Sequence, residues 1–188
     1  MNALVSDVDA FFVNTSGCAH VVHLYERDDV FLDTLEGFTN GGLRAGEVVV
    51  LIATTAHLFA LEYRLQKNGG WDVAELRQRG QYVAINAGEA LAGFMRDGCV
   101  DESRFNQSVV AAIEAAQAGG RRVRAFGEMV ALLWASGDRD ATRRLEQLWN
   151  DVCRDRKLSL LCAYPRQQPE SDPAMLEICA LHSQVLTT

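Results

Sequence analysis

The sequence lacks any apolar stretch long enough to span a membrane, and residues 1–15 carry acids where a signal peptide has a basic start and an apolar run. It also lacks an excess of basic charge, since 18 Lys and Arg face 25 Asp and Glu, a formal net charge of -7. This balance argues against direct DNA binding. The sequence therefore predicts a cytoplasmic protein whose partners include neither DNA nor a membrane.

A disulfide framework is absent as well, because the number of cysteines is odd and they are scattered along the chain. The five are Cys18, Cys99, Cys153, Cys162 and Cys179. Such a set in a chain of 188 residues indicates reduced thiols, as in cytoplasmic proteins.

Metal ligands at their usual spacing are missing too. Cys18, His20 and His23 have no CxxC partner, and His23 is predicted to point away from the strand face of the other two. Cys179 and His182 lie three positions apart on a predicted helix, where packing explains both side chains. The sequence therefore predicts no metal and no cofactor.

What is present is an ordinary globular composition, with 48% hydrophobic and 23% charged residues and no internal repeat. We predict an N-terminal leader at residues 1–17 and one domain at residues 18–188. Strand and helix patterns alternate through that domain. They predict an α/β fold with a mostly parallel central sheet of about five or more strands, flanked by helices on both faces.

Apolar runs and helical periodicity locate the elements of this fold. Strands are predicted at residues 20–25, 47–52, 82–85, 123–126 and 158–163, and helices near 30–39, 56–67, 87–95, 101–118, 127–136, 138–152 and 173–180. The predicted helix caps include Thr54 or Thr55, Asp138 or Asp140, and Asp172. The glycines of residues 40–46 are predicted to end the first helix. The basic cluster at residues 121–124 is interpreted as an exposed lead-in to a strand.

Residues 41–52 (GGLRAGEVVVLI) resemble the lead-in to the nucleotide-binding strand of RecA and circadian-clock ATPases. In those proteins the next loop is rich in glycine and ends in Lys and Ser or Thr, which hold the phosphates and Mg²⁺. Here residues 53–58 (ATTAHL) contain neither glycine nor lysine, and His57 lies where the lysine would be expected. We therefore predict no tight binding of ATP.

Glu128 follows Gly127, which comes directly after the strand predicted at residues 123–126. An acid at this position of the ATPases holds Mg²⁺ through water. Without a phosphate lysine, two interpretations remain open for Glu128. It caps its own helix by favouring the helix dipole, or it serves as a ligand or switch group.

Ligands of open parallel sheets bind outside the carboxyl ends of the strands. The side chains predicted to gather there are aromatic, thioether, polar and acidic, which suits a small, partly apolar molecule better than a polyanion. These candidates are His23, Tyr25, Glu26, Thr54, Thr55, His57, Asn86, Glu128, Met129 and Tyr164. Each also has a structural alternative as a core residue, a helix cap or a strand end.

A set of motifs in a fixed order resembles the MEDS family, the methanogen/methylotroph sensory domain named after a dichloromethane-responsive regulator. The motifs are HLYERDDVFL, GLRAGE, RAFGEMVALLWASGD, LEQLWND, LLCAYP and EICALHSQV, within about residues 18–186. The resemblance implies a degenerate RecA-like three-layer sandwich that senses small organic compounds. Members are usually attached to histidine kinases or DNA-binding domains, for which this chain has no room.

The expected function is therefore a non-catalytic sensory module that binds a small organic ligand or a regulatory protein. Its output is expected to pass through a signalling partner, such as a kinase or transcription regulator, and the module is expected to be a monomer or homodimer. Two alternatives remain. Thr54, Thr55 and Glu128 are consistent with a residual nucleotide-binding protein or weak NTPase, and a RecA-like surface is consistent with an assembly scaffold.

Overall fold

A computed structural model describes residues 19–166 and 172–188, so the predicted leader and Cys18 lie outside the described residues. The central sheet has six strands in the order β3-β2-β6-β7-β1-β8, and all neighbouring strands are parallel. These are β1 (Ala19–Tyr25), β2 (Val48–Ala53), β3 (Tyr82–Asn86), β6 (Val123–Gly127), β7 (Ser159–Pro165) and β8 (Gln184–Thr187). A separate antiparallel hairpin consists of β4 (Met95–Arg96) and β5 (Cys99–Val100).

Helices cover both faces of this sheet. They are α1 (Asp28–Arg44), α2 (Thr55–Lys67), α3 (Val73–Gln78), α4 (Ala87–Phe94), α5 (Glu102–Phe105), α6 (Ala111–Gln117), α7 (Met129–Ala135), α8 (Arg139–Arg156) and α9 (Pro173–Ala180). Helices α1 to α3 pack on one face, and α4 to α9 pack on the other. Within the described part of the chain, no helix has both the length and the apolar character needed to cross a membrane.

The strands divide their side chains between two cores with a period of two. In β2, Val49 and Leu51 join the core beneath α1, whereas Val50 and Ile52 join the core beneath α8. All of β2 is buried, as expected for an apolar, β-branched strand of a parallel sheet. The predicted fold class, a three-layer α/β sandwich with a mostly parallel sheet, is confirmed.

Helix starts follow the short polar side chains that precede them. The Thr54 hydroxyl accepts a hydrogen bond from the backbone nitrogen of His57, at 3.4 Å, where α2 begins. Asp138 and Asp172 cap α8 and α9 in the same way. A cap of this kind contributes about 1 kcal/mol, because it satisfies a backbone donor that has no partner within the helix. The predictions are confirmed for Thr54, Asp138 and Asp172, whereas Thr55 and Asp140 lie inside their helices.

The first helix ends within the predicted stretch of residues 40–46, but at Arg44 and not at its first glycines. Helix α1 continues through Gly41 and Gly42 to Arg44. A methyl group on Gly42 would lie 3.0 Å from Cγ2 of Val49 and 3.1 Å from Cδ of Arg124. The glycines therefore let α1 approach the sheet closely. The turn itself depends on Gly46, whose φ of 74° favours glycine.

The basic cluster at residues 121–124 is not wholly exposed, so the prediction of an exposed lead-in was wrong for part of it. Arg124 is 3% exposed, and its Nε donates to the Glu47 carboxylate at 2.7 Å. Its Nη1 donates to the carbonyl oxygen of Phe38 at 3.1 Å, and the guanidinium lies over the Phe38 ring. Arg122 is exposed, as predicted. Both arginines lie on the same side, as the period of two requires, but Arg124 lies within β6 against Gly41 and Gly42 of α1, whereas Arg122 precedes the strand.

Some elements have no clear signal in the sequence. Strand β8 was missed because it is an edge strand, bonded only to β1 and mostly exposed, so it has no apolar run. Helix α3 and the β4–β5 hairpin are short. The helix predicted at residues 101–118 is interrupted by a π-helical turn at Asn106–Val110.

Candidate functional site

The loops that leave three neighbouring strands meet at the carboxyl edge of the sheet. In the register of the parallel ladder, Ile52 of β2 pairs with Gly127 of β6, and Ala53 pairs with Asn86 of β3. The backbone nitrogen of Glu128 donates to the carbonyl oxygen of Ile52 at 2.8 Å. This bond ties the first residue after β6 to the end of β2.

Glu128 extends its side chain to the start of α2, not to its own helix. Its Oε2 accepts from the backbone nitrogen of Thr54 at 2.7 Å, and its Oε1 lies 2.8 Å from Nδ1 of His57. Glu128 is the residue before α7, but its side chain makes no capping bond to that helix. The carboxylate instead occupies the N-terminal end of the helix where a phosphate-binding loop would hold an anion.

His57 lies in the first turn of α2 with about a fifth of its side chain exposed. The hydrogen bond to Glu128 raises the pKa of His57 above its ordinary value, against the opposing effect of burial, and Asp28 adds to the rise. The edge of the imidazole meets the ring of Phe31, with 4.9 Å between the centroids. The pair is therefore polar on one side and aromatic on the other.

Tyr25 and Phe31 extend this aromatic side. Their rings stack with 4.8 Å between centroids, and both residues are buried. Burial, with Asp28 and Glu128 nearby, raises the pKa of Tyr25, so its phenol stays protonated at neutral pH. We call Tyr25, Phe31, Thr54, His57 and Glu128 the edge cluster.

His23 points to the same strand face as Tyr25, with 5.7 Å between the rings, as the sequence predicts. It is fully buried, and burial lowers its pKa to about 4. Its Nε2 lies 2.7 Å from the hydroxyl of Thr188, while its Nδ1 has no hydrogen-bond partner among the described residues. His23 is therefore a neutral core histidine beside the edge cluster.

Other candidates lie at the rim or form separate pairs. The Asn86 amide donates to the Thr55 hydroxyl at 2.8 Å, and Asn86 also caps α4 by accepting from Glu89. Glu26 is exposed and lies 3.5 Å from Arg166. These side chains surround the carboxyl edge without joining the His57 pair.

Met129 and Tyr164 lie on the opposite face of the sheet from Phe31. Met129 is fully buried in the core beneath α7 and α8. Tyr164 is also fully buried, and its hydroxyl donates to Oε1 of Glu146 in α8. The structure therefore does not bring these two candidates into the edge cluster.

Tyr164 leads to a group of ionisable side chains that sequence reasoning missed. His20, Glu146, Cys162 and His182 place one ligand atom each within 4.8 Å of the others, and all are buried. We call these residues the buried cluster. Imidazole, thiolate and carboxylate are ligands of transition metals, so this cluster is the part of the described chain that could hold one.

A groove of about 600 Å³ opens elsewhere, between α5, the π-helical turn and α8. Its walls are mostly polar and half of the lining residues are charged, including the ion pairs of Glu114 with Arg156 and of Asp151 with Arg154. All predicted site residues are described, and none of them lines this groove.

Comparison with known families identifies the family of this chain. Residues 19–183 match the family described as MEDS, the methanogen/methylotroph, DcmR sensory domain. The chain belongs to the MEDS family. No curated protein matches the sequence. The MEDS match includes every residue of the edge cluster and of the buried cluster, and it assigns the chain to a family of sensory domains.

Two signals in this MEDS sequence could have revealed the missed residues. Glu146 lies one helical turn from the buried Thr142 and Trp149, so it is an acid on the apolar stripe of α8. Phe31 lies on the predicted apolar face of α1. No local signal joins either residue to its partners, because their contacts come from strands distant in the chain.

Proposed function

We propose that this MEDS domain is a non-catalytic sensory module that recognises a small, partly apolar molecule at the edge cluster. The observation that supports this proposal is the position of the Glu128 carboxylate, bonded both to Thr54 at the start of α2 and to His57. An internal carboxylate there repels a triphosphate. It accepts hydrogen bonds from donors such as a hydroxyl or an ammonium group.

The neighbouring rings suit the apolar part of such a molecule. Phe31 and Tyr25 adjoin the His57–Glu128 pair, so an alcohol or amine with a short carbon chain can satisfy both sides. In this structure the His57 imidazole and the Glu128 carboxylate are hydrogen-bonded to each other. A ligand donor must therefore replace the His57 bond to Glu128, and binding must move His57 and the first turn of α2.

Helix α2 also offers a route from the ligand to a partner. It begins at the edge cluster and carries Phe59 and Tyr63, which are 76% and 56% exposed. These aromatic residues are four positions apart, so they lie on one face of the helix. We propose that a signalling protein, such as a kinase or a transcription regulator, contacts this face and reads the position of α2.

Ligand binding can be tested by a thermal-shift screen with small alcohols, amines and carboxylic acids of increasing chain length. We expect alcohols or amines to stabilise the wild type and Glu26→Gln, and to lose most of this effect in Glu128→Gln. Hits should shift the NMR signals of Thr54 and His57. Stabilisation that persists in Glu128→Gln, or the absence of any hit among the compounds, would contradict the proposal.

The partner surface needs its own experiment. The wild-type domain should retain a signalling protein from its native cell extract, and the Phe59→Ser/Tyr63→Ser double variant should not. Leu176→Ser is the matched control, because Leu176 is 59% exposed but lies on α9. Equal retention by the double variant and the control would show that α2 is not the contact surface.

A further inference from the structure

We propose that the buried cluster, made of His20, Glu146, Cys162 and His182, is a binding site for one divalent transition-metal ion of the zinc type. The four residues come from β1, α8, β7 and the turn between α9 and β8. They lie on the sheet face opposite the rings of the edge cluster. The site is therefore distinct from the proposed sensory site.

His182 provides the first argument. Its Nδ1 lies 2.8 Å from the carbonyl oxygen of Ile178, which can only accept, so Nδ1 carries the proton. In a neutral ring Nε2 then has a free lone pair. This atom is buried and has no hydrogen-bond partner among the described residues, although Oε2 of Glu146 is 3.4 Å away. A bound cation between this lone pair and the carboxylate would satisfy both groups.

His20 is held in the same tautomer by Asn150. The Asn150 amide nitrogen donates to the carbonyl oxygen of Leu181 at 2.9 Å, so its Oδ1 faces the other way. That oxygen lies 2.9 Å from Nδ1 of His20 and accepts its proton. Nε2 of His20 is left to face Glu146 at 3.2 Å. Histidines that bind metals usually donate their second nitrogen to such an acceptor.

Glu146 and Cys162 complete the donor set. Tyr164 donates to Oε1 of Glu146, which leaves Oε2 for the cluster. Burial and Glu146 raise the pKa of the Cys162 thiol. A bound metal would take the thiolate and release this proton to solvent.

The distances within the buried cluster fit tetrahedral coordination. Zinc bonds of about 2.0–2.3 Å place neighbouring ligand atoms roughly 3.3–3.6 Å apart. Oε2 of Glu146 lies 3.2 Å from Nε2 of His20, 3.4 Å from Nε2 of His182 and 3.5 Å from Sγ of Cys162. Nε2 of His20 lies 3.4 Å from the same sulfur. These four distances match that range, and the two that remain, from Nε2 of His182 to His20 and to Cys162, are at most 4.8 Å, so a shift of His182 would close the site around one ion.

The rival explanation places a proton on each imidazole and makes the buried cluster an ion triad. In that arrangement the Cys162 thiol only donates a long hydrogen bond to Oε2 of Glu146, at 3.5 Å. It also gives a stability that depends on pH and is insensitive to metal. The metal explanation uses all four donors, and it joins the segment that begins β8 to α8 and β1. Refolding with and without metal distinguishes the metal site from the ion triad.

The test uses the full chain, refolded from denaturant first with a chelator and then with one equivalent of Zn²⁺ or Co²⁺, because the ligands are buried. We expect one metal ion per chain and a midpoint of thermal unfolding roughly 5 °C or more higher with zinc. Cobalt should give the absorption of a tetrahedral ion with a thiolate-to-metal band. The absence of binding by the refolded wild type would overturn the proposal.

Variants assign the ligands. Cys162→Ser should abolish the thiolate band and weaken cobalt binding by roughly a hundredfold. Cys153→Ser should leave both unchanged, because Cys153 is also buried but lies outside the buried cluster. A band that survives in Cys162→Ser would place the metal elsewhere. If this variant does not fold, X-ray absorption of the wild-type cobalt protein decides, with one sulfur and three nitrogen or oxygen ligands expected and any other shell contradicting the site.

Discussion

Oε2 of Glu128 lies 2.7 Å from the backbone nitrogen of Thr54, so an acid that follows β6 satisfies the start of the helix that follows β2. The two residues are 74 positions apart and meet only because β2 and β6 are neighbours in the sheet. The bond fills the end of α2 with the protein's own negative charge. That single relationship leads to the first three predictions.

Glu128→Ala should destabilise the domain by about 1–3 kcal/mol. The reason is that Thr54 loses the acceptor for its backbone nitrogen and His57 loses its partner. Urea unfolding measures the change. Glu26→Ala, at an exposed acid on the same edge, should leave the midpoint unchanged. Equal effects of the two substitutions would show that the position of the carboxylate is unimportant.

Removal of the His57 side chain should have an effect that depends on pH. The folded protein raises the pKa of His57 above 6.5, through Glu128 first and Asp28 in addition, while burial opposes the rise. The resulting stabilisation of about 1 kcal/mol is therefore full below the unfolded pKa and is lost as the pH rises through the folded pKa. Unfolding of the wild type and His57→Gln from about pH 5.5 to 8.5 tests it. A constant difference would contradict it.

Mg-ATP should bind with a dissociation constant no tighter than about 1 mM. The loop at residues 53–58 has no glycine and no lysine, and Glu128 occupies the end of α2. Isothermal calorimetry measures the affinity. Glu128→Gln should not bind much more tightly, because the missing lysine is not restored. Micromolar binding by the wild type would revive the nucleotide-binding alternative.

Arg124→Ala should be severely destabilising, by about 3–5 kcal/mol. It leaves the buried Glu47 carboxylate without its 2.7 Å partner and removes the hydrogen bond from Arg124 to the Phe38 carbonyl. Arg122→Ala is the matched control in the same basic cluster, because Arg122 is exposed and lies 3.7 Å from Glu47. Denaturant unfolding should show a change close to zero for this control.

Gly42→Ala should destabilise by about 1–3 kcal/mol, because the new methyl group meets Val49 and Arg124 at 3.0 and 3.1 Å. Gly93 offers the control, since it lies in α4 and a methyl group there would meet nothing within 4 Å. Gly93→Ala should stabilise by about 0.5–1 kcal/mol. Thermal unfolding should show a lower midpoint for Gly42→Ala and a higher midpoint for Gly93→Ala. Changes of the same sign would contradict the explanation that Gly42 lets α1 approach the sheet closely.

Much of the fold was predictable because its signals are local. Residues 47–52 form an apolar, β-branched run, and such a run is stable only with both faces covered. Caps such as Thr54 and Asp172 mark helix starts through bonds within one turn. The edge strand β8 escaped because exposure on one edge removes the need for apolar residues.

The candidate sites were predictable only in part. The sequence alone placed Thr54, His57 and Glu128 at the carboxyl ends of their strands, because a parallel sheet collects those ends at one edge. It could not assign Glu128 to the start of α2, since that requires knowing which strand lies beside β6.

By itself, the sequence determined the α/β architecture, the strand faces and the loss of the phosphate-binding residues, because these follow from periodicity and residue type. Only the tertiary structure decided where Arg124 and Glu128 direct their charges. It also decided that His20 and Cys162, which are 142 positions apart, share one buried cluster with Glu146 and His182. Such convergence depends on strand order and helix packing, which no local pattern encodes.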